Sequence, residues 1–150
     1  MAKAQIARRV LDEEPPPERH LDVDGYLRSM VIYNLRDKGT GYMSYSERVG
    51  PGVVVLGGSQ QLCDWLTEEG FTALAPDLPG DEATADRIVD AAFDHLVDNW
   101  HPRVGAVAFG DQRTFARRLA ERRNLDAVAL LETEAEADEE LIDDFRYDLS

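Results

Sequence analysis

The sequence predicts an α/β fold: a mostly parallel sheet flanked by helices, with an antiparallel strand pair at its N-terminal side. Two observations carry that prediction. From residue 53 to residue 131 short apolar runs alternate with amphipathic helical periods. Strands separated by helices pair in parallel through right-handed crossovers. The runs VVVL (53–56), VGAVAF (104–109) and AVALL (127–131) are apolar at nearly every position, as strands covered on both faces must be.

Residues 1–20 read as an N-terminal arm and residues 21–150 as a single domain. In the arm, Ile6, Val10 and Leu11 would make the stripe of a short helix. Pro15-Pro16-Pro17 breaks it, because successive prolines favour an extended spacer. The arm is either a loosely docked terminus or a segment that docks on a neighbouring subunit. Residues 27–33 (LRSMVIY) and 41–46 (GYMSYS) read as two strands joined by a turn at Asp37-Lys38-Gly39, an antiparallel pair. In the second, Tyr42 and Ser44 share one face, Met43 and Tyr45 the other.

Beyond Pro51-Gly52 the alternating pattern begins. After VVVL come Gly57-Gly58-Ser59. Ser59 is placed to cap a helix over 60–69, with Leu62, Leu66 and Trp65 turned inward and Gly70 as its stop. Residues 72–75 (TALA) form the next strand, closed by Pro76-Asp77-Leu78-Pro79-Gly80. Over 83–98, Ile88, Val89, Ala92, Phe93, Leu96 and Val97 recur at helical spacing. Strand 104–109 precedes a third helix over 112–123, with Phe115, Ala116, Leu119 and Ala120 inward and Asp111 as its cap. Strand 127–131 follows. The tail from Glu132 is rich in acid, but Leu141, Ile142 and Phe145 keep a helical spacing, so an acidic amphipathic C-terminal helix is expected; an acidic interaction tail is the alternative.

A chain of 150 residues, 43% hydrophobic, suffices for one domain with a real core. Its net charge of −14 argues against nucleic acid and against anionic membranes as partners; a well-solvated, salt-adapted surface accounts for the same charge. No apolar run approaches the length of a membrane span, and the first residues form no apolar signal core. One cysteine, Cys63, excludes an intrachain disulfide and a multi-cysteine metal site. The carboxylates Asp138, Glu139, Asp143 and Asp144 lack the glycine-turned loop of an EF-hand, so no metal is assigned. Neither dinucleotide nor nucleoside triphosphate fingerprints occur, and no cofactor is expected. A cytoplasmic location is the default expectation.

Four segments in order resemble the dienelactone hydrolase family. They are GPGVVVL (50–56), LTEEGFTALAPDLPG (66–80), VGAVAF with the helix after it, and DAVALL (126–131). The resemblance spans residues 40–131 and implies an α/β-hydrolase core, truncated. Its most specific element is the Ala75-Pro76-Asp77-Leu78 phrase in register with the turn after residue 109. The family pattern Gly-Phe-Cys-x-Gly-Gly is replaced by Ala108-Phe109-Gly110-Asp111-Gln112-Arg113. The nucleophile position therefore carries Gly110, which offers no atom that can attack. His20, His95 and His101 all precede it, whereas the family's histidine follows. Gly57-Gly58 stand where the family has His-Glu.

No catalytic residue is assigned. The expected function is that of a pseudoenzyme: a non-catalytic, dienelactone-hydrolase-like protein acting by protein–protein interaction or assembly, as a homo-oligomer or with a protein partner. One alternative is a small-molecule or anion-binding domain, with Gly57, Gly58, Ser59, Gly110 and Asp111 as candidate ligand contacts at the carboxyl ends of strands. The other is residual ester or lactone hydrolysis through Ser59 or Cys63.

Overall fold

A computed structural model describes residues 5–6, 29–30, 41–45, 50–99 and 102–150. The turn at 37–39, His20, His101 and most of the 1–20 arm lie outside the described residues. Strands β1 (Gln5–Ile6) and β2 (Ser29–Met30) pair in parallel. The main sheet holds β3 (Gly41–Ser44), β4 (Gly52–Leu56), β5 (Thr72–Pro76), β6 (Val104–Phe109) and β7 (Ala127–Leu131), in the order β3-β5-β4-β6-β7. β4, β5, β6 and β7 run parallel, and β3 is antiparallel to β5.

The antiparallel strand is where the sequence puts it, but its partner is β5, not residues 27–33, whose described part pairs with β1. The reason is burial. Met43 and Tyr45 enter one core and Tyr42 packs against the other. A free hairpin leaves one face in water, whereas the edge of a sheet with helices on both faces does not.

Among the described residues four helices cover the sheet: α1 (Gln60–Glu68), α2 (Glu82–Asn99), α3 (Arg113–Arg122) and α4 (Glu139–Asp148). Alternation along each strand sorts the core into two layers. Val54, Leu56, Leu74 and Ala106 meet Val89, Phe93 and Leu96 of α2 and Leu119 of α3. Val53, Val55, Ala73 and Val107 meet Leu62 and Leu66 of α1 and Ile142 and Phe145 of α4. The acidic tail is thus a docked amphipathic helix. Phe145 meets Phe71 edge-on at 6.3 Å, and Arg146 reaches Glu69 at 2.9 Å.

Local signals set the helix ends. The Ser59 hydroxyl accepts from the Leu62 N–H (3.2 Å), and Asp81 caps α2 through the Thr84 N–H (2.9 Å). Two details differ from the sequence reading. Gln112, not Asp111, is the cap residue of α3, and no side chain bonds that end; Asp111 sits in a single 3-10 turn, Gly110–Gln112, that leads into the helix. Ala120 is exposed, because α3 is short and contacts the sheet mainly through Ala116 and Leu119.

Candidate functional site

Parallel strands point their carboxyl ends the same way, and open α/β sheets bind ligands there. Here β4 ends at Gly57-Gly58, β5 at Asp77-Leu78 and β6 at Gly110. A cleft of about 270 Å³ opens between them. Its apolar wall includes Val55, Ala75 and Pro76, and its polar groups come from Tyr42, Gln60, Asp77 and Gln112. The Tyr42 hydroxyl donates to Asp64 at 2.6 Å, fixing the ring. Gln112 Oε1 is buried and has no hydrogen-bond partner among the described residues.

The predicted site residues divide. Gly57 and Gly58 line the cleft. Ser59, Gly110 and Asp111 are not among its lining residues, and Gln112, which the sequence did not single out, is. Gln112 also explains Gly57. That glycine has φ +85°, and a Cβ on it would lie 2.9 Å from Gln112 Cγ and 3.2 Å from the Phe109 carbonyl. The two strand ends are pressed together with a glutamine side chain between them.

Gly110 is the sharp bend. Its φ is +55°, after an extended Phe109. A Cβ there would meet only the Glu132 carbonyl, at 3.8 Å. The turn has the left-handed backbone that presents a side chain outward, and it carries none. Arg113 clamps the bend: its Nε donates to the Gly110 carbonyl (2.8 Å) and its guanidinium pairs with Glu132 (3.2 Å).

Ser59 is occupied. Its N–H and its hydroxyl both donate to Glu134 Oε1, at 2.8 and 2.7 Å. The first turn of α1, predicted as an anion site, is filled by the chain's own carboxylate. Glu134 lies 75 residues downstream, so no local signal announces it. The surrounding acids also have local tasks. Glu136 forms a capping box with Thr133, and Asp138 caps α4.

The remaining nucleophile and base candidates stand apart from the cleft. Cys63 is fully buried, and burial pushes its thiol up to about 12, with Asp64 and Glu134 adding in the same direction. His95 is buried on α2, and that burial pulls its imidazole down to about 4 against the opposing pull of Asp98. The neighbouring Leu96 packs on Gly52, at the start of β4, whereas the cleft lies at the end of that strand. Among the described residues no cluster of histidine, cysteine and carboxylate groups could hold a metal ion. No described helix is long and apolar enough to cross a membrane.

No family model and no curated protein matches the chain. Among solved structures it is similar to an esterase of Pyrococcus furiosus, at 17% identity and a TM-score of 0.49, over 79% of this chain and 48% of that one. It is also similar to an inhibited esterase B of Lactobacillus rhamnosis, at 13% identity and a TM-score of 0.49, over 91% of this chain and 58% of the other. The chain spans about half the length of the Pyrococcus esterase. Neither likeness carries a residue role to this chain.

Proposed function

We propose that this chain is a non-catalytic α/β-hydrolase-like domain, related to the dienelactone hydrolases, that works by protein–protein contact or assembly. The observation that supports this reading is Gly110: a bend with φ +55° and room for a side chain, with no atom to attack a carbonyl. The alternative nucleophiles fare no better. Ser59 serves as a helix cap bonded to Glu134, and Cys63 is a buried thiol in its protonated form. The test is turnover of p-nitrophenyl acetate and of a simple lactone by the purified chain. No turnover above buffer is expected. Activity that persists at equal rate through repeated purification would overturn the proposal, and its loss in Ser59→Ala or Cys63→Ala would name the nucleophile. For the assembly part, the native mass by light scattering and the proteins that co-purify are the measurements. A bare monomer without partners counts against it.

A second reading, a small-molecule receptor, draws on the cleft and on the unpartnered Gln112 Oε1. With Asp77 on its wall and Glu134 already at the α1 N-terminus, the cleft suits a neutral or cationic hydrogen-bond donor better than an anion. A thermal-shift panel of polyols, amines, carboxylates and phosphates separates these classes. A flat response throughout removes the receptor reading.

A further inference from the structure

We infer that the free edge of β7 takes up an extended segment of a partner protein, one in which apolar residues alternate with lysine or arginine. The inference rests on the interaction reading above and names its surface and its partner chemistry. β7 pairs with β6 and, among the described residues, with no other strand. Its outer edge therefore presents backbone donors and acceptors, the template on which a peptide adds as a strand. Proteins usually blunt such an edge with charge, proline or a bulge. Here the strand reads AVALL, without any of these, and Val128 is 42% exposed.

Beside the edge runs a groove of about 460 Å³ between β7 and α4. Its floor is apolar, from Ala129, Leu131 and Leu141. Its rim is acidic, from Glu136, Asp138, Glu140 and Asp144. Among the described residues no lysine or arginine forms an ion pair with any of these four, since Arg113 takes Glu132 and Arg146 takes Glu69 and Asp143. The opposite face behaves otherwise. There Glu82, Asp86, Asp90 and Asp94 of α2 are matched by Arg118, Arg122 and Arg123 of α3. Acid without a basic partner among the described residues thus gathers beside this outer edge of the sheet. Strand addition sends alternate side chains to opposite faces. An apolar–basic alternation would seat apolar groups over Val128 on one face and bring cations to the acidic rim on the other. A second copy suits the edge less well, because a two-fold pairing of β7 with itself sets each acidic rim near its twin.

The test uses the whole chain and a fluorescein-labelled octapeptide of alternating lysine and valine, followed by anisotropy at low salt. Saturable binding is expected. Reversing the rim with Glu140→Lys and Asp144→Lys should weaken it at least about tenfold, whereas the equal charge change on the helices of the opposite sheet face, Asp98→Lys with Glu121→Lys, should change it less than about threefold. Methylating alternate backbone nitrogens of the peptide should abolish binding, since the added strand loses its donors. Equal weakening by both reversals, or indifference to methylation, would overturn the inference in favour of plain charge attraction. A dimer that tightens with salt and excludes the peptide would overturn it in favour of self-pairing. Circular dichroism of each variant confirms that the fold is intact. The outcomes remain separable from those above: ester turnover with peptide binding defeats only the non-catalytic reading, and absence of both defeats only this one.

Discussion

Two glycines at the carboxyl end of the sheet share a left-handed backbone and differ in everything around it. Gly110 has open space where a Cβ would sit, while Gly57 has Gln112 Cγ and the Phe109 carbonyl. A left-handed non-glycine residue costs about 1–2 kcal/mol on its own. Gly110→Ala should therefore destabilise the protein by about 1 kcal/mol, the strain alone. Gly57→Ala should cost about 2–3 kcal/mol, because a crowded Cβ adds to the strain. Urea denaturation of the two variants measures the difference; equal losses would mean that the Gly57 contact relaxes freely. Gly110→Ser is consequently predicted to fold, and to gain no esterase activity, since a hydroxyl without a base remains a weak nucleophile. Of this pair, the sequence reading reached Gly110 through the family pattern. It reached Gly57 as a candidate ligand contact and missed its packing role, because the Gln112 contact joins positions far apart in the chain.

At the scale of elements, α1 and α2 give the sharpest expectations. The first turn of α1 holds Glu134, so replacing it by glutamine should cost about 1 kcal/mol through the lost charge at a helix start. Glu134→Ala should open the same turn to an external anion. Phosphate is then expected to raise the melting temperature of the variant and to leave the wild type unmoved; a wild-type response would restore the anion-binding alternative. On α2, His95 is held neutral by burial, with its imidazole near 4 instead of 6.5. The unfolded chain takes up its proton first as pH falls below 6.5, so stability drops from there until the folded imidazole also protonates near 4. The loss amounts to about 2 kcal/mol by pH 5. His95→Gln should flatten the stability profile between pH 7 and pH 5, where most carboxylates stay ionised. The strands, the helices and the Ser59 cap were legible because period and cap chemistry are local. The partner of β3, the Glu134 lock and the arginine ladder between α2 and α3 were not. Each joins residues 20 or more positions apart, and spacing within one segment says nothing about which distant segment lies beside it.

At the scale of the whole molecule, 30 acids face 16 basic residues, and the imbalance has a measurable sign. Two electrostatic effects compete as salt is added. Screening weakens the exposed ion pairs of α2 with α3 and of Arg146 with Glu69, each worth well under about 1 kcal/mol. It also weakens the mutual repulsion of a net charge of −14, which acts between every pair of unmatched carboxylates. The first loss is bounded by a handful of pairs. The second gain grows roughly with the square of the net charge, and its range shrinks from about 30 Å in 0.01 M salt to about 3 Å in 1 M. Repulsion therefore dominates, and the melting temperature should rise by a few degrees between those concentrations of potassium chloride. Neutralising acids of α4 that face water, with Asp144→Asn and Asp148→Asn, should raise the low-salt melting temperature and shrink the rise. Neutralising Asp90, which Arg122 holds at 2.9 Å, should lower it instead, because that carboxylate already has its counter-charge. A melting temperature that falls with salt would mean that the arginine ladder outweighs the excess acid. The fold would then owe more to the α2–α3 face than to relief of charge elsewhere.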